Sequence, residues 1–559
     1  MPHPELDSIT QNTIRAARTY QNVPPDQHLV EWRSLAELLT TRAQQEGERE
    51  FLAYFNDHPA ETSRWTYAGL FARAAQIANL LVNEYGVQHG ERVATLAYNH
   101  PDTVATYMAC WLIGATVAPQ NVGEDDTRIA YILRNTAARV LLARPEYAER
   151  ARSLQAEAAN LEHILVQDAG FDQLLAAQSS TFNPAHAPGL EDEALLVYTS
   201  GTTGAPKGVQ LSHYNLLADC TGIVRWHQVG ASTRMMCILP IHHVNGIVVT
   251  LITPMLARSS VVLNRGFSAG TFWQRVSDEQ VNIVSVVPTI LQYLCEAHGD
   301  TSQLDLSGLH YLICGAGTLA VSLARRFTDQ FGVRVLHGYG LSESTCYSCF
   351  LPIDLSEAEY RHWMNDLGYP SIGVPIWPNE MAIHDPAGQE LPAGEKGEIV
   401  IRGHNVMLGY FQRPDANAEA FKHGWFRSGD EGFIERDEQG RQFVFITGRL
   451  KELINRGGVK YSPFEIEEVM LGVPGVRAAL AVAFPNTWYG EEVGAYIVTD
   501  DGATVTAEQV LAHCRAHMPG AKCPKVVLFG TEIPVTTTGK YQRLRLQDLF
   551  VEWSETQFR

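Results

Sequence analysis

Leu195-Leu196-Val197-Tyr198-Thr199-Ser200-Gly201-Thr202-Thr203-Gly204-Ala205-Pro206-Lys207-Gly208 carries a short apolar run into a loop of hydroxyls and glycines that holds one lysine. The apolar run suits a buried strand, and the loop suits an anion. Glycines let successive backbone N–H groups turn inward without Cβ interference, and such concave amide nests hold phosphate. The hydroxyls of Thr199, Ser200, Thr202 and Thr203 add donors, and Lys207 adds a point charge suited to a polyphosphate. The Walker loop is excluded, because that loop needs Gly-Lys-Ser/Thr opening a helix. Here Pro206 precedes the lysine and Gly208 follows it. The alternative is a plain polar turn, but glycines, hydroxyls and lysine rarely coincide directly behind a strand.

Outward from this loop, the chain alternates strand and helix. Arg92-Val93-Ala94-Thr95-Leu96-Ala97, Arg139-Val140-Leu141-Leu142, Val261-Val262-Leu263, Ile283-Val284-Ser285-Val286-Val287, Tyr311-Leu312-Ile313-Cys314 and Val333-Arg334-Val335-Leu336 read as strands. Between them lie helical patterns, one opening at Asn99-His100-Pro101, one capped by Ser212, one starting at Ser268 or Thr271, and one with Pro288 in its first turn. Strands separated by helices of ten to fifteen residues mean right-handed βαβ units and parallel sheets, which bind ligands at strand carboxyl ends. Beyond about residue 375 the strands become short and Gly/Asp-punctuated, as in a small antiparallel barrel. Past Arg449 a compact α+β pattern runs on, with a helix expected over Ser462–Leu471. The expected fold is therefore α/β: a large N-terminal domain (1–449) of two parallel-type subdomains plus a small barrel, then a small α+β domain (450–559).

Composition sets the outer bounds. At 559 residues, with 45% hydrophobic and 19% charged residues, the chain has room for more than one domain and a large core. A formal net charge of −19 argues against nucleic acid as the main partner. No run of 18 apolar residues offers a membrane span, and the N-terminus lacks the pattern of a signal peptide. The odd count of nine cysteines fits reduced thiols, hence a cytoplasmic setting. Cys346 and Cys349 form a lone C-x-x-C, too little for a metal site by itself.

Four further stretches complete the chemistry. His337-Gly338-Tyr339-Gly340-Leu341-Ser342-Glu343-Ser344 follows a strand; its glycines permit close approach, Tyr339 offers a stacking face, and Glu343 offers a hard oxygen for Mg²⁺. Ser428-Gly429-Asp430 places a carboxylate suited to paired ribose hydroxyls. Thr447-Gly448-Arg449-Leu450-Lys451 sits where the domain composition changes. Pro534-Val535-Thr536-Thr537-Thr538-Gly539-Lys540 brings a lysine on a Gly-containing turn near the C-terminus.

As an ordered set, these five stretches resemble the adenylate-forming superfamily, which groups acyl-CoA synthetases, nonribosomal peptide adenylation domains and firefly luciferase. The resemblance covers about residues 35 to 545. It implies a two-step reaction: a carboxylate attacks the α-phosphate of ATP to give an acyl-adenylate and pyrophosphate, then a mobile C-terminal domain swings and a thiol takes the acyl group. Carried over by position, the 199–207 loop, with Gly201 and Gly204, resembles the β/γ-phosphate clamp. Gly315, Ala316, Gly317 and Tyr339 resemble the adenine site, with Gly338 and Gly340 beside it. Ser342 stands where Thr is usual beside the α-phosphate. Glu343 matches the Mg²⁺ ligand, Asp430 and Arg449 the ribose ligands, Lys451 the hinge, and Lys540 the lysine that reaches carboxylate and α-phosphate during adenylation. Gly458, within Ile454-Asn455-Arg456-Gly457-Gly458, matches a glycine that leaves room for the thiol.

The resemblance also places an acid pocket, lined by Pro240-Ile241-His242-His243-Val244-Asn245-Gly246, the loop 314–317 and the stretch 338–344. His243 matches a gating histidine. No aspartate occurs between Leu239 and Leu256 to pair an amino-acid ammonium. Gly246 is expected to leave space, and Val244, Ile247 and Val248 are apolar, so a fatty or aromatic acid is expected. Coenzyme A is the expected thiol, with a carrier protein as the alternative acceptor and a non-catalytic nucleotide-binding relative as the alternative class. Residues 352–364 read as an insertion.

Overall fold

A computed structural model of the chain describes residues 6–58, 60–199, 205–297, 299–535 and 541–558. Among them three sheets organise the molecule. In a seven-stranded sheet, Thr116–Gln120, Arg92–Leu96, Val140–Ala143 and His163–Val166 run parallel. Glu193–Thr199 joins them in parallel through Val117 and Leu195. A thirteen-stranded sheet has a second parallel core, formed by Glu50–Asp57, Ser260–Asn264, Arg234–Cys237, Ile283–Val286, Tyr311–Cys314 and Arg334–Tyr339. The inner strands Val140–Ala143, Ile283–Val286 and Tyr311–Cys314 are buried along their whole length, as strands of a parallel sheet covered on both faces are.

The expected helices are present. The capping box of Ser212 and Asn215 opens His213–His227, His100 accepts from Asp102 N–H to cap Pro101–Ile113, and Pro288 occupies the first turn of Pro288–Glu296. The antiparallel strands expected after residue 375 are also found, as Asn379–His384, Gly397–Gly403, Phe426–Arg436 and Gln442–Arg449. They form the expected small antiparallel part as a half-barrel, joined to its neighbour. Through Ser371–Pro375 and Cys349–Phe350 they continue the hydrogen-bonded edge of the second parallel core. The insertion folds as the short helix Glu357–Arg361 and one wide turn, and packs on this sheet: Trp363 stacks on Phe443 at 3.8 Å between ring centroids.

The last part of the chain has its own five-stranded sheet and its own core. Ile454, Ile466, Met470, Ala481 and Val493 pack together, apart from the core that ends near Phe445. No helix among the described residues is long and apolar enough to cross a membrane. All nine cysteines are buried and unpaired, and burial pushes the Cys346 and Cys349 thiols upward.

Candidate active site

The opening stretch folds as a hairpin. Glu193–Thr199 leads into the loop, and the return strand Lys207–Ser212 pairs back antiparallel, with Thr199 opposite Lys207. Lys207 thus starts a strand, in keeping with the absence of a Walker-type helix. Ser200, Gly201, Thr202, Thr203 and Gly204 lie outside the described residues, as does Lys540.

On the far side of the return strand, Gly409–Tyr410 adds a short antiparallel pairing, with Tyr410 opposite Val209. This pairing brings the Tyr410 ring beneath Lys207, whose Nζ lies 4.7 Å from the ring centroid. The same phenol donates to Glu343 Oε1 at 2.8 Å. Glu343 lies in the short turn Ser342–Ser344 just after the strand Arg334–Tyr339 and is 8% exposed. Burial lowers the Lys207 amine from the usual lysine range; Glu343 opposes that, while Arg413 and Lys451 add to it. Lys451 is exposed, and its charge still reaches Lys207.

A second pair of residues faces this cluster. Tyr339, at the end of its strand, donates a 2.5 Å hydrogen bond to Asp430 Oδ2. Asp430 and Arg449 sit opposite each other on neighbouring strands, with Arg449 Nε 3.0 Å from Oδ1. The guanidinium N–H is not aimed at that oxygen, so Oδ1 of this 1% exposed carboxylate is a buried acceptor without a hydrogen bond. Such an atom is suited to a sugar hydroxyl. Asp430 foremost, with Tyr339, Glu452 and Glu343 adding to it, holds the Arg449 guanidinium above its ordinary value. Lys207, Glu343, Asp430, Arg449, Tyr339 and Lys451 are therefore within one electrostatic neighbourhood.

The glycine loops fit tightly around it. Ala316 sits at φ 64, so the loop 315–317 turns sharply at the carboxyl end of Tyr311–Cys314. A Cβ at Gly340 would lie 1.9 Å from the Cys346 carbonyl oxygen, and one at Gly338 would strike the Phe350 ring. Gly458, by contrast, stands in open space at φ 86 on the hairpin formed by Ile454–Arg456 and Val459–Tyr461.

The expected acid pocket differs from the sequence reading in one respect. Gly246 does not leave room for a ligand: a Cβ there would meet the Pro240 oxygen at 2.6 Å and Ile241 Cα at 2.9 Å. The glycine is needed because the wide-turn helix Asn245–Ile252 starts against its own preceding backbone. Ile247 and Val248 are fully buried core residues. His243 is partly exposed and packs on His242 at 4.5 Å. Ser285 and Tyr347, two residues beyond the sequence reading, contact Asn245 of the expected lining. Asn245 Nδ2 donates to the Tyr347 hydroxyl at 3.2 Å, and its Oδ1 accepts from Ser285 at 2.8 Å. The Tyr347 ring fills the space that Gly315 and Gly338 leave open: a Cβ at Gly315 would meet its hydroxyl at 2.4 Å, and one at Gly338 its Cε1 at 2.9 Å. Its backbone is held by Asp219, which accepts from its N–H at 3.3 Å, and by Asn405, which donates to its carbonyl at 3.2 Å. Burial raises the Asp219 carboxyl to about 8.

Tyr410, Asn405 and Tyr347 were not singled out as site residues from sequence. The Gly-Tyr pair at 409–410, behind an alternating strand, carried the only available signal. Its partner strand lies far away in the chain.

Comparison with known proteins places this geometry. The AMP-binding enzyme family matches residues 39–411, and the AMP-binding enzyme C-terminal domain matches residues 465–540. The chain belongs to the AMP-binding enzyme family, the adenylate-forming superfamily. Within it, the chain is an AMP-forming acid–thiol ligase of the acyl-CoA synthetase type. A feruloyl-CoA synthase of Amycolatopsis sp is 35% identical over 476 residues, covering 85% of this chain and 92% of that protein. A sulfoacetate–CoA ligase of Cupriavidus necator is 34% identical, covering 92% and 97%. Among solved structures, an anthranilate CoA ligase in complex with anthranoyl-AMP superposes with a TM-score of 0.83 at 25% identity, covering 94% of this chain and 98% of that one. ATP-bound MatB from Rhodopseudomonas palustris gives 0.82 at 27% identity, covering 93% and 100%.

Proposed function

We propose that this chain activates a compact carboxylic acid of fatty or aromatic type with ATP and passes the acyl group to coenzyme A. The single observation that carries the reading is the convergence of Lys207, Glu343, Asp430 and Arg449, from four separate stretches, in one electrostatic neighbourhood, with Tyr410 joining Lys207 to Glu343 and Asp430 paired with Arg449. In this reading Asp430 and Arg449 hold the ribose, Tyr339 and the loop 315–317 hold the base, and Lys207 with its hairpin loop holds the distal phosphates. Ser342 and Lys540 serve the α-phosphate, where attack by the carboxylate builds negative charge that a cation stabilises. The carboxylate oxygen bonds to the α-phosphorus as pyrophosphate leaves; the thiol sulfur then bonds to the acyl carbon as AMP leaves. Glu343 is the residue that would hold Mg²⁺. One of its oxygens is taken by Tyr410, which leaves one protein ligand, a pattern Mg²⁺ accepts when phosphates and water supply the rest. When bound, the ion would neutralise phosphate charge.

The acid is bounded by the wall of Tyr347, Asn245 and Ser285, with His243 near its mouth, and this supports a short or flat body over a long chain. The feruloyl and anthranilate relatives, named for aromatic acids, are in keeping with it. Residues 450–559 form the moving domain, pivoting at Lys451, and Gly458 meets the thiol only after that movement. Buried, unpaired thiols support a reducing, cytoplasmic setting.

The test is an acid panel with ATP and coenzyme A, read by mass spectrometry of the thioester. Aromatic or short apolar acids should give thioester. Activity confined to amino acids or polar diacids would overturn the acid assignment. Acyl transfer only to a holo carrier protein, with coenzyme A inert, would overturn the acceptor.

A further inference from the structure

The helix Pro463–Leu471 of the small domain carries acidic side chains with separate contacts. Glu467 turns inward to the buried Arg543, which also contacts Glu452 at 3.4 Å and donates to the Ala481 carbonyl at 2.8 Å. Arg543 lies in the described segment 541–558, so this network ties that segment to the helix. Glu465 and Glu468, a helical turn apart and on one face, point the other way. Glu465 pairs with Lys396 of the large domain at 3.3 Å and with Lys522 of its own domain at 2.5 Å. Glu468 accepts from the N–H groups of Val321 and Ser322, each at 3.1 Å.

Those N–H groups open the helix Val321–Phe331, whose N-cap position is Ala320 and has no side-chain cap of its own. A helix start needs its first N–H groups satisfied, and a carboxylate there also answers the positive end of the dipole. This helix takes its cap from the other domain. It also follows closely on the loop 315–317, and between the two domains lies a cavity of about 210 Å³ lined by Thr318, Ser322, Glu468 and Tyr541. Tyr541, the first described residue after Lys540, thus faces the same space as Thr318 and the start of the helix Val321–Phe331.

We propose that Glu468 is a positioning residue for adenylation. By capping the helix after the loop 315–317, it holds the small domain in the docked orientation, in which Tyr541 faces the start of that helix. The inference rests on the ligase reading above. When the domain turns for thiol transfer, the cap is released and the two N–H groups go to water.

The experiment compares Glu468→Ala with the wild type in the separate half-reactions, ATP–pyrophosphate exchange and thioester formation from a supplied acyl-adenylate. Exchange should fall about ten-fold, with thioester formation unchanged or faster. The double variant Glu468→Ala with Ala320→Ser gives the helix a cap of its own. Exchange should stay low in it, because docking and not helix stability was lost. Restoration by Ala320→Ser, equal loss in both half-reactions, or no loss of exchange would each overturn the inference. If the wild type forms neither adenylate nor thioester across the acid panel, the ligase reading is what fails. Proteolysis of the 449–453 connection then reads docking directly: faster cleavage in Glu468→Ala supports the latch, and equal cleavage refutes it.

Discussion

The Tyr339 hydroxyl donates at 2.5 Å to the Asp430 carboxylate, across the junction where a parallel strand gives way to the antiparallel part of the same sheet. The bond occupies one carboxylate oxygen and leaves the other as a buried acceptor. That second oxygen is ion-paired with Arg449 but accepts no hydrogen bond, so it has capacity left for a ligand hydroxyl.

Tyr339→Phe should therefore lower kcat/KM for ATP about ten-fold, and Asp430→Asn should lower it further, since the amide loses the charge that faces Arg449. Steady-state kinetics with varied ATP checks both. An unchanged KM for ATP in Asp430→Asn would remove Asp430 from the nucleotide site.

Burial holds the Lys207 amine below the usual lysine range. Its charge is therefore lost at lower pH than for a surface lysine, and ATP binding should weaken as pH rises through that depressed value. In Lys207→Arg, whose guanidinium stays charged, the alkaline limb of kcat/KM for ATP should move upward. A pH–rate profile with the same limb in both enzymes would assign the titration elsewhere.

In the proposed function, Tyr347 bounds the acid. Tyr347→Ala should admit acids longer by several carbons, with kcat/KM for them raised at least ten-fold, while short acids lose affinity. Tyr347→Phe removes only the hydroxyl and should leave chain-length preference in place. The acid series run on all three enzymes reads this directly.

Buried histidines make the fold acid-sensitive. Burial lowers His213 and His337 from 6.5 to about 4. The unfolded imidazoles take up protons below about pH 6.5, the folded ones only near 4. Stability is thus full above pH 6.5 and falls as pH drops toward 4, by about 1.4 kcal/mol per pH unit for each group. Urea midpoints for the large domain at pH 7 and pH 5 should differ accordingly, and His213→Gln should flatten the slope.

Lys540→Ala separates the half-reactions in the same direction as Glu468→Ala but far more deeply. Adenylate formation should drop by orders of magnitude while thioester formation from supplied adenylate persists, as measured by pyrophosphate exchange and mass spectrometry.

Much of this was legible in the residues. Ten-to-fifteen-residue spacing between all-apolar strands fixed the parallel cores, and Ser212, His100 and Pro288 marked helix starts through local chemistry. Glu343, Asp430 and Lys207 could be picked out only as members of an ordered set of five stretches that resembles a known superfamily; taken singly, each suits a plain turn, a surface ion pair or a solvated lysine. What escaped reading was long-range. Tyr410 reaches Lys207 only through a two-residue strand pairing with a distant segment. Gly246 looked like pocket space, because a sequence does not tell whether the gap beside a glycine is filled by ligand or by the chain's own backbone. Tyr347 gave no pattern at all, since its partners Asn245, Ser285 and Asp219 come from other parts of the fold.

The unbroken run of strands from Tyr311–Cys314 to Gln442–Arg449 has a mechanical consequence. The groups that the proposed function assigns to base and ribose are rivets in a single stiff plate, whose last strand along the chain ends at Arg449. Any turning of the small domain must find its fulcrum beyond that residue, so the lever can swing while the grip on the nucleotide stays still.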